Sequence, residues 1–142
     1  MKIINSFCNT CKSISFGYSS PLKTLWKEGK LPTVEVGMYG GKLTKENISL
    51  EHIKPHSKGG RTQLSNLALT TMENNNKRGS DLLSSFFNKE LFDKYLEQFK
   101  GLVVPYMKKN KEKVFNGDQY IELVTNTVNT ILENEKKLNI LG

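Results

Sequence analysis

Residues 49–80 read SLEHIKPHSKGGRTQLSNLALTTMENNNKRGS and carry the clearest secondary-structure pattern of the chain. The apolar residues within 48–53 and the run 67–71 each predict a strand. Between them, residues 57–60 (SKGG) tolerate positive φ and predict a loop. The polar residues 72–78 predict a short helix that a glycine ends. Together they form a strand–loop–strand–helix unit of about 33 residues, which is too small to fold without packing from outside.

Several side chains of this unit suit the hydrolysis of a phosphodiester bond, which needs an activated water, charge neutralisation and help for the departing oxygen. A neutral imidazole with a pKa of about 6.5 takes a proton at physiological pH, so His52 suits the general base. Glu51 and Asn75 offer hard oxygen donors of the type that Mg²⁺ or Mn²⁺ accepts, and the ion would act as a Lewis acid. Lys77 and Arg78 follow within one helical turn and are expected to hold the substrate backbone. Glu51 and His52 are successive, so they should leave opposite faces of a strand unless a bulge re-aims one.

The order of these residues resembles that of the HNH endonuclease family, whose fold is the ββα-metal unit. The resemblance is carried by Glu51-His52, Pro55, Gly59-Gly60, Asn66-Leu67 and Asn75-x-x-Arg78-Gly79-Ser80. It implies a metal-dependent endonuclease with one Mg²⁺ or Mn²⁺ ion, which cuts DNA to leave 5′-phosphate and 3′-hydroxyl ends. It further implies that Glu51 is the acidic metal ligand and His52 the base that activates water. Asn66 resembles the residue that fixes the loop and orients the histidine, and Asn75 resembles the second metal ligand.

The asparagine of the helix can be assigned in two ways. Asn75 stands nine residues after Asn66 and three before Arg78, the intervals usual in the family. Asn74 keeps the same interval to Lys77 and is the alternative ligand.

His56 and Lys58 lie in the predicted loop and are candidates for substrate contact. His56 could also serve as an auxiliary proton carrier. The alternative for His56 is an exposed loop histidine without a role in chemistry.

Cys8 and Cys11 form a C-x-x-C pair, which is half of a tetrahedral zinc site. The sequence offers no second pair of ligands, since its only histidines are His52 and His56 with Pro55 between them. We therefore expect two reduced thiols in a turn, and structural Zn²⁺ is not favoured.

Length and composition predict a soluble, globular protein. The 142 residues are 37% apolar and 25% charged, and 21 Lys and Arg against 14 Asp and Glu give a net charge of 21 − 14 = +7. This charge favours a polyanionic partner, although a solvated lysine surface would produce the same excess. The resemblance to HNH endonucleases implies that this partner is nucleic acid, DNA first. No apolar run of about 18 residues and no signal-peptide pattern is present, so we expect a cytoplasmic protein without membrane contact.

We predict an α+β fold in three parts. Residues 1–46 form an N-terminal extension, 47–80 the ββα-metal core and 81–142 a C-terminal helical region. Within the extension, capping and spacing predict a helix over 20–29, and alternation predicts a strand over 33–37 before a glycine turn.

The C-terminal region is predicted to contain two helices. The first carries an apolar stripe of Leu91, Phe92, Tyr95, Leu96 and Phe99, and ends at Gly101 or Pro105. Residues 108–113 (KKNKEK) read as a charged link, and Asp118 is the expected cap of the last helix. The apolar faces are expected to pack on the core or to form a homodimer face.

Three classes of function fit these features: an HNH nuclease, a non-cutting nucleic-acid- or protein-binding module on the same scaffold (for example a phage or defence-related regulator), and a structural protein that dimerises through 81–142. Glu51, His52 and a suitably spaced Asn75 favour the nuclease, because a protein that only binds has no need for the base.

Overall fold

Four α-helices and two antiparallel two-stranded sheets make up the part of the chain that the computed structural model describes, residues 21–141, with side chains described through residue 138. In chain order the elements are α1 (Pro21–Lys27), β1 (Ile48–His52), β2 (Leu67–Thr71), α2 (Met72–Arg78), α3 (Lys89–Glu97), β3 (Val103–Lys108), β4 (Lys111–Asn116) and α4 (Gly117–Leu141). The architecture is therefore α+β, as predicted. Cys8 and Cys11 lie outside the described residues.

The central element is the pair β1–β2, followed at once by α2. Ile48 pairs with Thr71 at one end of the sheet, and His52 pairs with Leu67 at the other. All five residues of β2 are buried, so this strand is covered on both faces. The bounds of β2 and α2 agree with the prediction from the sequence, because the apolar run 67–71 and the glycine stop at Gly79 are both local signals.

Buried aromatic side chains from α3, β4 and α4 hold the C-terminal region against β2. The Tyr120 hydroxyl donates to the Leu67 carbonyl at 2.7 Å, and the Leu69 N–H donates to the Tyr95 hydroxyl at 2.9 Å. The two tyrosine oxygens are 2.8 Å apart. Since the Tyr120 proton goes to Leu67, Tyr95 must donate to Tyr120, and both tyrosine hydroxyls are satisfied. The predicted amphipathic stripe of α3 is thus core, with Phe99 fully buried.

The N-terminal part agrees with the prediction in its helix and differs in its strand. Leu22 and Leu25 of α1 are buried, and the Trp26 indole donates to the Val34 carbonyl at 2.7 Å. The strand expected over 33–37 is reduced to one isolated bridge, Val36 with Lys42. The Gln98 side chain accepts the N–H groups of Glu35 and Val36 and donates to the Val36 carbonyl, so it takes backbone groups that a longer strand would use.

The C-terminal region contains a β-hairpin where the sequence predicted a charged link. β3 and β4 pair in register from Val103–Asn116 to Lys108–Lys111. The final helix also has a different cap: the Asn116 side chain accepts the N–H of Gln119 at 3.0 Å. Asp118 instead accepts the N–H of Gly101 at 3.1 Å, which ties the helix start to the end of α3.

Late in α4, Glu135 is buried and accepts two backbone N–H groups, those of Leu83 at 2.7 Å and Ser84 at 2.8 Å. Part of α4 therefore packs on the same chain, while a homodimer through the helices stays a prediction. Among the described residues, no helix combines the length and apolar character needed to cross a membrane.

Candidate active site

Strand β1 sends its two chemically interesting side chains to different neighbours. Glu51 meets α2, and His52 meets the loop between β1 and β2. This follows from the alternation of side chains along a strand. The predicted cluster is therefore split into two sets: Glu51 and Asn75 lie between β1 and α2, and His52 lies at the loop.

The first set is a buried ion pair between β1 and α2. Arg78 Nη1 lies 3.0 Å from Glu51 Oε2, and the residues are 1% and 2% exposed. The same carboxylate oxygen accepts a hydrogen bond from the Tyr39 hydroxyl. Arg78 also donates to the carbonyls of Ile53 at 2.9 Å and Asp81 at 3.0 Å. Both charges of this cluster therefore have partners, as buried charges require.

Electrostatics in this cluster follow from burial. Removal from water raises the pKa of the Glu51 carboxyl, and the Tyr39 hydrogen bond and the Arg78 charge oppose the rise. Burial and the adjacent carboxylate raise the pKa of Tyr39, so its phenol stays protonated and can donate.

The prediction for Arg78 is wrong. The sequence predicted that it would grip the substrate backbone, whereas the structure buries it and directs its guanidinium to Glu51 and backbone carbonyls. In this position it joins α2 to β1. Lys77, the other predicted contact in α2, is exposed and lies 3.4 Å from Glu73.

Asn75 lies on the same face of β1 as Glu51. Its amide nitrogen donates to Ser49 Oγ at 2.8 Å and to the Leu50 carbonyl at 3.1 Å. Its amide oxygen has no hydrogen bond to any residue that the structure describes. Ser49 and Glu51, two residues apart on β1, therefore contact Asn75 and Arg78, which are three residues apart on α2.

Asn74, the alternative to Asn75, points elsewhere. Its amide nitrogen donates to the Gly40 carbonyl at 3.2 Å, and its backbone N–H is capped by Thr71 Oγ1 at 3.1 Å. The structure therefore places Asn75, and not Asn74, beside β1.

Glu51 and Asn75 do not fit a shared divalent-ion site in this arrangement. The carboxylate oxygen Oε2 already accepts bonds from Tyr39 and Arg78. A metal ion there would lie close to a guanidinium, and buried like charges repel strongly. Asn75 keeps an open oxygen but contributes no charge. Within residues 21–138, no group of three or more His, Cys, Asp or Glu side chains could hold a metal.

The second set depends on the loop that joins β1 to β2. Asn66, 4% exposed, accepts the Lys54 N–H at 2.8 Å and donates to the carbonyls of Lys54 at 3.0 Å and Arg61 at 2.9 Å. One amide thereby closes the loop. Gly60 is required by the same closure, because a Cβ there would overlap the Lys54 carbonyl oxygen.

This closed loop brings the two histidines together through a threonine. Thr62 Oγ1 lies 3.0 Å from His52 Nε2 and 3.2 Å from His56 Nε2, and the ring centroids are 4.4 Å apart. His52 is half-buried and His56 is exposed. Burial, followed by the neighbouring His56, lowers the pKa of His52, so its imidazole is neutral at pH 7 and can accept a proton.

The sequence analysis did not identify Thr62 or Tyr39. Thr62 follows the glycines of the loop, and nothing in its spacing predicts contact with His52 ten residues earlier. Tyr39 is an aromatic residue before a glycine turn, which is an ordinary sequence feature. Three other cations of the loop, Lys54, Lys58 and Arg61, are exposed, so the rim beside the histidines is basic.

Comparison with protein-family models, curated proteins and solved structures finds no match for this chain.

Proposed function

We propose that the chain hydrolyses phosphodiester bonds of nucleic acid, DNA first, with His52 as the general base. The observation that carries the proposal is a neutral, half-buried imidazole, oriented by Thr62 at a basic rim. Two features support it. The residues of 49–80 resemble the HNH endonuclease motif, and β1, loop, β2 and α2 follow in the order of a ββα unit. The net charge of +7 favours a polyanionic substrate.

Proton positions follow from the single hydroxyl proton of Thr62, which can go to only one of the two rings. The arrangement that keeps His52 basic has His52 Nε2–H donating to Thr62 and the Thr62 hydroxyl donating to His56. The lone pair of His52 then resides on Nδ1. No described residue forms a hydrogen bond to Nδ1, so this atom is the one that would accept a proton from water.

The reaction follows from these positions. A water oxygen attacks phosphorus while His52 Nδ1 takes its proton, and Thr62 holds the resulting imidazolium through Nε2–H. The bond from phosphorus to the departing oxygen breaks, and that oxygen takes a proton from solvent. Exposed cations of the loop, Lys58 and Arg61, favour the phosphate nearby. No step uses the expected Mg²⁺ or Mn²⁺, because the predicted ligands do not fit it.

The test is incubation of supercoiled plasmid with wild type, His52→Ala and His56→Ala in Mg²⁺, Mn²⁺ or EDTA. We expect nicked or linear products from wild type and a loss of about 10²–10⁴-fold in His52→Ala, the usual contribution of a general base. His56→Ala should keep more activity, since His56 acts through Thr62. Equal cutting by wild type and His52→Ala would overturn the proposal.

A second function is favoured by the ion pair of Glu51 with Arg78, which removes the predicted metal ligand. On this alternative, the same scaffold binds nucleic acid or a protein without cutting. Retarded migration of the plasmid without cleavage in any of the three conditions would support it.

A further inference from the structure

The hairpin of residues 103–116, which we name the basic hairpin, concentrates positive charge at its tip. The hairpin contains four lysines and one acidic residue, so its net charge is 4 − 1 = +3 of the +7 carried by the chain. These residues are Lys108, Lys109, Lys111, Lys113 and Glu112. Lys111 and Lys113 form no ion pair with an acidic side chain of the described region.

This arrangement opposes the stability of the hairpin. Lys108 and Lys111 are direct cross-strand partners, and like charges in that position destabilise a β-ribbon. Burial, together with the charges of Lys113 and Lys109, lowers the pKa of Lys108. Lys109 adopts φ 60°, where glycine or asparagine would cost less. A segment that accepts such costs at its tip is a candidate for function.

The outer face of the basic hairpin carries an apolar row that the described chain leaves uncovered. Val103, Met107 and Val114 are 62%, 65% and 63% exposed. They project from the face opposite to that of Phe115, which is buried. The register places Lys108, Lys111 and Lys113 on the opposite face, with Phe115, and places Glu112 beside Met107 on the apolar face. A ribbon with apolar side chains on one face and lysines on the other fits a partner that offers both apolar atoms and phosphates.

The root of the basic hairpin lies beside the His52 end of the first sheet. The Phe115 and Tyr120 ring centroids are 5.8 Å apart, and the Tyr120 hydroxyl donates to the Leu67 carbonyl at 2.7 Å. Leu67 is the strand partner of His52. Two side-chain contacts therefore connect the hairpin to the strand position that carries the proposed base.

We propose that the basic hairpin enters the major groove of duplex DNA, with its lysines on phosphates and its apolar row toward the base edges. This deepens the proposed function, on which it rests, by naming the substrate of the His52 site as duplex DNA. The major groove of B-DNA admits a two-stranded β-ribbon and presents thymine methyl groups to apolar side chains. The deep, narrow major groove of A-form RNA admits neither, so duplex RNA should bind more weakly.

The test is fluorescence anisotropy with a labelled 30-base-pair DNA duplex, using His52→Ala protein so that the probe stays intact. The hairpin variant replaces Lys109, Lys111 and Lys113 with Gln. The matched control replaces Lys94, Lys136 and Lys137, exposed lysines of α3 and α4, with Gln. Both variants change the net charge by the same amount.

Each phosphate contact contributes about 0.9 to the slope of log K against log salt, so three lost contacts should lower the slope by about 2.7. If affinities in 1 M salt are unchanged, this corresponds to a loss of about 500-fold at 0.1 M salt. The control should keep the wild-type slope, and a duplex RNA of the same sequence should bind at least about tenfold more weakly.

Equal losses in the hairpin and control variants would overturn the proposal, because binding would then follow net charge alone. Equal affinity for duplex DNA and duplex RNA, or no binding of DNA by the parent protein, would also overturn it. The plasmid test decides hydrolysis separately. Binding lost through the hairpin without any cleavage by wild type would support this inference and overturn the proposed function. Undiminished cleavage by the hairpin variant would support the proposed function and overturn this inference.

Discussion

Breaking the buried ion pair between Glu51 and Arg78 should destabilise the protein far more than a surface pair would. Loss of one partner from a buried pair costs about 3–5 kcal/mol, because the other charge stays buried without compensation. The pair has an N–O distance of 3.0 Å, and both side chains are almost fully buried. Total stabilities of such domains are about 5–15 kcal/mol, so the loss corresponds to a fall in Tm of roughly 10–20 °C.

The two single variants should differ in size and in pH dependence. Glu51→Gln leaves a guanidinium that cannot lose its proton, so we expect a cost near the upper limit, about 4–5 kcal/mol. Arg78→Met leaves a carboxyl that can be neutralised by a proton. Its pKa, already raised by burial, rises further once the Arg78 charge is gone. Since a raised carboxyl pKa stabilises the fold at low pH and that stabilisation is lost as pH rises through the folded value, Arg78→Met should be least destabilised near pH 5.

The measurement is urea unfolding followed by circular dichroism at pH 5 and pH 8. Lys77→Gln is the matched control in the same helix, since its pair with Glu73 is 63% and 76% exposed and should contribute less than about 0.5 kcal/mol. Glu51→Gln and Arg78→Met stabilities that both lie within about 1 kcal/mol of wild type would refute the reasoning. A Glu51→Gln protein with wild-type stability and weakened Mg²⁺ binding would show instead that Glu51 is a metal ligand.

Three further outcomes follow from the loop and its histidines. Asn66→Ala removes three hydrogen bonds of a buried amide and should cost about 2–4 kcal/mol in urea unfolding; an unchanged midpoint would contradict its role in closing the loop. Gly60→Ala should cost more than about 2 kcal/mol because its Cβ overlaps a backbone carbonyl, whereas Gly29→Ala, with positive φ but open space, should cost only about 1 kcal/mol; equal costs would refute the overlap. Because the pKa of His52 is lowered, the proposed nuclease activity should rise with pH with its midpoint below pH 6.5, and His56→Ala, which removes one cause of the lowering, should move that midpoint to higher pH; a rise centred above pH 7 in wild type would contradict a neutral base.

The sequence predicted the elements whose signals are local. The apolar residues before and after the loop located β1 and β2, and the polar run ending at Gly79 located α2. The β3–β4 hairpin was missed because its strands bury few side chains: only Phe115 of β4 is buried, while Val103, Met107 and Val114 are exposed. Without a buried face, alternation is weak, and the lysines dominate the pattern.

The site was harder to predict because its partners are set by three-dimensional pairing. Glu51 and Asn75 do lie on one face of β1. Nothing in the residue order indicates whether Glu51 faces water or Arg78, which lies 27 residues away. Carboxylates that bind a metal and carboxylates that bind a buried guanidinium use the same chemical group, so residue type alone does not separate them.

Because Glu51 and His52 of β1 contact different neighbours, substitutions of the two residues should have different effects. Glu51 acts inside the molecule, through Arg78 and Tyr39, whereas His52 acts at the surface, through Thr62. Loss of activity in a Glu51 variant is therefore expected whenever the fold is weakened, whatever the role of the carboxylate in chemistry. His52→Ala removes a half-buried ring with one side-chain hydrogen bond, so it should reduce activity with little change in unfolding. A catalytic role is assigned only by a variant that loses activity and keeps its stability to unfolding. On this structure, His52 is the residue of β1 whose substitution can do both.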